Sequence, residues 1–176
     1  MTQFILILVV LAVISLLVYV AQKPDNFQIQ RSTAIKASPD KLFPLINDLH
    51  IMQTWSAWEK VDPQMQRSYS GEASGVGAKY AWEGNKEIGQ GTMEIIESVP
   101  NSKINLHMHF IKPFEGHSSI DFTLAGNGDE TVVTQTMRGT STFLPKLMCT
   151  LFFNQDKMIG GKFEEGLANL KTLAEK

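Results

Sequence analysis

The sequence has a single cysteine, Cys149, in 176 residues. A disulfide within the chain is therefore excluded, and so is a zinc site built on several thiolates. Charge of one sign is also scarce: 16 Lys plus Arg stand against 18 Asp plus Glu, a net of −2. That balance excludes a polycationic nucleic-acid binder and an acidic tail protein as starting points, and no nucleic-acid partner is expected. Glycines at phosphate-binding spacing are missing, as is a Gly-x-Ser-x-Gly elbow, so nothing marks a nucleotide site or a hydrolase nucleophile. Internal repeats and low-complexity tracts are missing too. What is present is a hydrophobic share of 43% against 19% charged residues, too apolar for disorder and ordinary for a packed core.

One stretch lacks charge altogether. From Phe4 to Ala21 only Ser15 and Tyr19 carry side-chain polarity. At about 1.5 Å per residue the run makes about 27 Å of helix, close to a hydrocarbon core of about 30 Å. Tyr19 falls at the distal end, where an aromatic belt residue belongs, and Lys23-Pro24 closes the run. A buried globular helix would show a polar stripe, and none exists. A cleaved signal peptide would want a cation before the run and small residues at the cleavage site. Met1-Thr2-Gln3 carries no cation and Tyr19-Val20-Ala21 is a poor site. The expectation is an uncleaved single-pass anchor in the cell membrane, residues 4–21. Lys23, Arg31, Lys36 and Lys41 follow the span and no cation precedes it, which favours a cytoplasmic C-terminal domain. Residues 1–25 are then anchor and linker, and 26–176 a single domain.

Within that domain the apolar period is two at first. Phe27, Ile29 and Arg31 alternate with Gln28, Gln30 and Ser32. Ser38-Pro39-Asp40 reads as a helix start: Ser38 caps free amides, Pro39 suits the first position and Asp40 complements the dipole. Leu42, Phe43, Leu45, Ile46 and Leu49 supply its apolar face, with Pro44 a local conflict. A second short helical stretch carries Met52, Trp55 and Trp58. About six strands then follow, with Tyr80 and Trp82, Met93 and Ile95, Ile104 to Phe110, Ile120 to Leu124, and Val133 to Met137 as their alternating apolar sets. Each strand has one apolar face, so the sheet is wet on one side and buried on the other. After Pro145 one long helical pattern runs to the C-terminus, with Met158, Phe163, Leu167, Leu170 and Ala174 on its apolar side. Phe163, Leu167 and Leu170 are expected to bury against the sheet, with Gly166 allowing close approach.

This order, with these residues, resembles the helix-grip fold of the START-like superfamily, also called Bet v 1-like. It is most similar to the bacterial polyketide cyclase/dehydrase and lipid-transport-like proteins. The resemblance rests on Ile35-Lys36-Ala37-Ser38-Pro39-Asp40-Lys41-Leu42-Phe43, Trp55-Ser56-Ala57-Trp58, Ser70-Gly71 and Gly75 through Asn85. It continues in Gly91-Thr92-Met93-Glu94-Ile95, Glu97 through Asn101, and Asp156 through Leu170. It implies an α+β fold in which a curved antiparallel sheet wraps around a long C-terminal helix, here preceded by one transmembrane helix. It also implies a deep apolar cavity between sheet and helix, of the kind that family members use to bind lipids, sterols or polyketides. The family has no invariant catalytic residue, and Gln135 stands where members often carry an aromatic residue in the last strand.

The ligand-binding residues expected on this reading are Trp55, Trp58, Tyr80, Trp82, Met93, Met108, Phe110, Phe122, Gln135, Met137, Phe152 and Phe163. The aromatics would form stacking walls and the methionines an adaptable lining, although both suit an ordinary core equally well. Phe143 through Phe153 is greasy, with Lys146 its only charge, and reads as a lid, a second bilayer contact or core packing. His107 and His109 share one strand face opposite the apolar set, which places them toward solvent without the third ligand a metal needs. Glu83, Glu87, Glu94 and Glu97 point outward too regularly for an acid pair, and Gln135 with Arg138 makes no catalytic dyad. The expected function is a membrane-tethered binding protein for a hydrophobic small molecule or lipid, with no cofactor and no metal. A cyclase/dehydratase-type enzyme and a protein-binding regulator, like the activators of the heat-shock-protein-90 ATPase, are the alternatives.

Overall fold

A computed structural model describes all 176 residues. The uncharged N-terminal run forms helix α1 (Thr2–Gln22), long and apolar enough to cross a membrane, a property that signal sequences share. Strand β1 (Asn26–Ile35) follows, then helices α2 (Pro39–Asn47) and α3 (Leu49–Trp55) and a 3-10 turn at Ala57–Lys60. Next come β2 (Gln66–Gly71), β3 (Ala78–Glu83), β4 (Gln90–Val99), β5 (Lys103–Lys112), β6 (Gly116–Asn127) and β7 (Glu130–Thr140). Helices α4 (Phe143–Leu151) and α5 (Gln155–Ala174) end the chain.

All seven strands join one antiparallel sheet in the order β1-β7-β6-β5-β4-β3-β2. Sequential hairpins build five of the six pairings, and the sixth brings β1 beside β7, with Ile29 opposite Met137. Register shifts at Gln90/Gly91 and Ile95/Glu97 bend β4, as bulges do when they raise local twist. The inward face carries Ile29, Tyr80, Trp82, Ile95, Leu106, Phe122 and Val133, all buried. The outward face is held by a polar ladder across four strands. Arg138 donates to Gln28 Oε1 (3.0 Å) and Asp121 Oδ2 (2.6 Å), and Asn105 Nδ2 donates to Ser119 Oγ (2.8 Å). Arg138 therefore lies on the wet side of the sheet, away from the inward-facing Gln135.

The expected cap at Ser38 takes another form. Ser38 has the extended backbone of an N-cap, but its hydroxyl makes no capping bond. Pro39 removes one free amide at the first position, and the Ser38 carbonyl accepts from Lys41 and Leu42. Asp48 does cap α3, its Oδ1 accepting from the amide of His50 at 2.8 Å.

The single C-terminal helix expected after Pro145 is two helices. Phe152 and Phe153 interrupt it, and Asn154 starts α5 afresh by accepting from the Lys157 amide at 3.0 Å. An N-cap of this kind satisfies an amide that continued helix would otherwise bond internally. α5 buries Ile159, Phe163, Leu167, Leu170 and Ala174 against the sheet and the α2–α3 pair. Its near end is fixed by Arg31, which points inward from β1 and pairs with Asp156 (2.9 Å) and Glu164. These two carboxylates raise the Arg31 guanidinium above its ordinary value. Close approach falls at Gly160, where a Cβ would overlap the Arg31 guanidinium, whereas a Cβ at Gly166 would meet only ordinary contacts at 3.6 Å or more. The expectation for Gly166 is therefore corrected: space does not require a glycine there.

Candidate ligand-binding cavity

The sheet bends away from α5 at one end and leaves a cavity of about 330 Å³, within the size range of small-molecule sites. Strand alternation puts Tyr80 and Trp82 of β3, Met93 of β4, Met108 and Phe110 of β5, and Met137 of β7 on its walls. Trp58 of the 3-10 turn and Phe163 of α5 complete the set of expected residues that line it. Trp82 stacks on Tyr80 at 6.0 Å and meets Phe110 edge-on at 6.0 Å, forming one continuous aromatic wall. Gly91 permits that wall, because a Cβ there would overlap the Trp82 ring.

Four expected residues do not line the cavity. Trp55 is 3% exposed and packs edge-on against Phe122 at 6.0 Å, its Nε1 donating to the Leu45 carbonyl at 2.8 Å. Both rings belong to the solid core beneath α2 and α3, where sheet and helix are in contact and no space remains. Gln135 is inward and 7% exposed, but falls between Val133 and Met137 in the packed part of β7. Phe152 is 68% exposed, because the break between α4 and α5 turns it outward.

The lining also holds residues that the sequence reading passed over. Phe27, Met65, Ile88, Ile120 and Ile159 extend the apolar wall. Glu59 is the informative omission. It lies in the 3-10 turn beside Trp58, where period-two and helical patterns both fail, so nothing in the local sequence turned it inward. Its Oε1 accepts from the Tyr80 hydroxyl at 2.9 Å and its Oε2 from Arg67 Nε at 2.7 Å. Arg67 comes from β2 and also donates to the Met65 carbonyl at 2.7 Å. Burial pushes the Tyr80 phenol well above its ordinary value, and the bond to Glu59 raises Arg67. Close by, Gln53 Nε2 and Tyr69 Oη are buried without a hydrogen-bond partner. The cavity thus has largely apolar walls, a fixed polar cluster at Glu59, and further polar residues such as Ser118, Ser141 and Gln155 elsewhere on its lining. Both oxygens of Glu59 are engaged, which suits a fixed hydrogen-bonding anchor better than a free base.

The mouth is marked by lining residues that are themselves exposed: Glu87 between β3 and β4, Lys112 to Glu115 at the turn from β5 to β6, His117, Thr142 and Met158. His107 and His109 lie outside, on the wet face, as their strand parity requires. His117 of β6 stacks between them, at 5.3 Å from His107 and 4.3 Å from His109. These near-parallel rings do not converge on a point, and no three His, Cys, Asp or Glu side chains form a metal-binding group.

A seven-stranded antiparallel sheet gripping a C-terminal helix, with a cavity between them, defines a helix-grip protein of the START-like, Bet v 1-like class. Residues 26–175 match the family described as polyketide cyclase / dehydrase and lipid transport, and the chain belongs to that family. Solved structures share the fold. Major latex-like protein 151 from Panax ginseng aligns at 10% identity and a TM-score of 0.60, covering 86% of this chain and 99% of that one. A protein from Chromobacterium violaceum aligns at 15% identity and 0.59, covering 87% and 99%. The Aha1 dimer from Colwellia psychrerythraea aligns at 21% identity and 0.55, covering 85% and 96%. At these identities the likeness concerns the fold alone. Comparison with curated proteins finds no match.

Proposed function

We propose that this protein is a membrane-tethered carrier of a hydrophobic small molecule or lipid, held in the cavity between sheet and α5. The observation that carries the reading is the cavity itself: about 330 Å³, walled largely by aromatic, aliphatic and methionine side chains, with a fixed polar anchor at Glu59 and Tyr80. Apolar walls supply affinity by removing ligand surface from water, and a few fixed polar groups supply orientation. Trp58, Tyr80, Trp82, Met93, Met108, Phe110, Met137 and Phe163 are the contact residues of this proposal. Glu59 is neutralised by Arg67, so this polar anchor carries no free charge to pair with an ionic head and suits a ligand with a neutral hydroxyl or amide head.

In this reading α1 crosses the membrane once, residues 26–176 act as one domain, and the cations after the span hold that domain on the cytoplasmic side. Family membership and the apolar character of α1 support it. The test uses the cavity's own tryptophans, in full chain reconstituted into nanodiscs. A brominated long-chain alcohol should quench Trp58 and Trp82 saturably, and Ile120→Phe, which narrows the cavity from its wall, should weaken the saturable part several-fold. Quenching that is linear in alcohol and indifferent to Ile120→Phe would remove the cavity as a binding site.

A further inference from the structure

α4 is an apolar helix without a partner that covers it. None of its residues is buried, and Phe143, Leu144, Leu151, Phe152 and Phe153 in and after it are exposed. Exposed apolar clusters of this kind mark interaction sites. Two further observations say what covers this one. The first is its attachment to α1. Lys23, the first charged residue after the apolar run, donates to Thr150 Oγ1 of α4 at 2.9 Å. Lys146 of α4 donates back to the Lys23 carbonyl at 3.0 Å and pairs with Asp25 at 2.6 Å. The Lys23 ammonium also lies 5.0 Å above the ring of Tyr19. α4 is thereby clamped at the level where the apolar helix ends and charge begins, which for a membrane span is the headgroup boundary. The second observation is the position of the mouth. Thr142 and Pro145 of the α4 segment and Met158 just beyond it lie on the cavity lining.

We infer that α4 and the Phe152–Phe153 corner insert into the bilayer interface and hold the mouth of the cavity against it, so that a ligand passes between bilayer and cavity without crossing water. The inference rests on the carrier reading and on α1 as a span. The occupant is the lipid surface itself: a helix lying at that depth with its phenyl groups outward buries them among acyl chains, as interfacial helices do. Around it Lys23 and Lys146 have one carboxylate, Asp25, between them, and Asp156 is already paired with Arg31, so Lys157 adds to a net positive rim. Insertion is driven by apolar surface, and the positive rim adds attraction to anionic headgroups.

The test places a fluorophore by depth in the full chain, reconstituted into phosphatidylcholine nanodiscs with and without nitroxide-labelled lipid. In a Cys149→Ser background, single cysteines Phe152→Cys, Leu8→Cys and Glu72→Cys are labelled with an environment-sensitive dye. Quenching several-fold stronger at 152 than at 72, with shallow nitroxides more effective than deep ones, is expected. Quenching at 8 but not at 152 would overturn the docking of α4 and leave the anchor standing. Absence of quenching at both would overturn the span as well. A second measurement separates docking from ligand binding. Phe152→Asp with Phe153→Asp should slow uptake of a bilayer-borne fluorescent long-chain alcohol about tenfold while leaving its equilibrium affinity unchanged. Unchanged uptake would contradict the inference, whereas lost affinity in the parent chain would tell against the cavity reading.

Discussion

Phe163 and His107 sit on opposite sides of the same architecture, and they divide the stability of the domain unequally. Phe163 is 2% exposed on the inner face of α5, whereas His107 is exposed on the wet face of β5. Phe163→Ala should cost about 3–5 kcal/mol, a large part of a typical total of about 5–15. His107→Ala should stay within about 0.5 kcal/mol. Urea denaturation of the full chain in a mild detergent measures both. The reverse ranking would mean that the inner and outer faces of the sheet are exchanged. Tyr80 makes a pH-dependent contribution of definite sign. Its phenol is raised by burial, so the folded chain stays protonated where the unfolded chain ionises. Its contribution is complete below the ordinary tyrosine value of 10.0 and declines as pH rises beyond it. Tyr80→Phe should therefore lessen the alkaline loss of stability, measured as melting temperature between neutral pH and pH above 10. An unchanged alkaline decline would place that loss at other groups. Tyr80 and Trp82 were legible as wall residues because aromatics at strand parity face one side, whereas Trp58, in the 3-10 turn, stood out only as an aromatic of the Trp55-Ser56-Ala57-Trp58 stretch. Glu59 was not, because its inward turn depends on Arg67 arriving from a strand that is adjacent to β3 only after folding.

At the scale of elements, the glycines of α5 separate helix propensity from packing. Gly166→Ala should stabilise by up to about 1 kcal/mol, since the new methyl finds ordinary contacts and the helix loses a flexible residue. Gly160→Ala should gain the same propensity but must displace Arg31 from Asp156 and Glu164, and so should be the less stable of the two. Thermal melts of the two variants side by side check the order; equal gains would mean that the Arg31 pairs hold nothing in place. The same helix marks where the sequence was readable. Spacing of Phe163, Leu167, Leu170 and Ala174 was enough to foresee a helix over the sheet, although Met158, expected on the same side, is 50% exposed and Ile159 is buried instead. The break before it was not foreseen, since Phe152-Phe153-Asn154 has neither glycine nor proline and is decided by the Asn154 cap. β2 was equally faint. Its sequence Gln66-Arg67-Ser68-Tyr69-Ser70-Gly71 holds one large apolar ring, because an edge strand buries only part of one face.

For the whole molecule, charge distribution and fold lead to one arrangement: an uncharged helix, a polar clamp at its end, and a helix-grip domain whose cavity opens on that side. The family and the helix-grip architecture were visible in the sequence, since period-two strands, a capped short helix and a terminal amphipathic helix occur in a distinctive order. The position of the cavity was visible only in outline. Strand parity says which residues face inward, but the curvature of β4 and the tilt of α5 decide which of these meet the helix and which meet empty space. Trp55 and Phe122 share the inward face with Trp82 and Met108, yet lie where the layers touch.

The central claim is that this space holds a hydrophobic ligand, and native mass spectrometry of the full chain released from nanodiscs tests it most directly. The parent chain should retain a discrete adduct of about one lipid-like molecule after the disc lipids have been stripped by collisional activation, because the ligand is enclosed by the sheet and α5. Ile120→Phe, with its cavity narrowed, should retain less of the adduct under the same conditions. A bare parent chain, or the same adduct on both chains, would contradict the account.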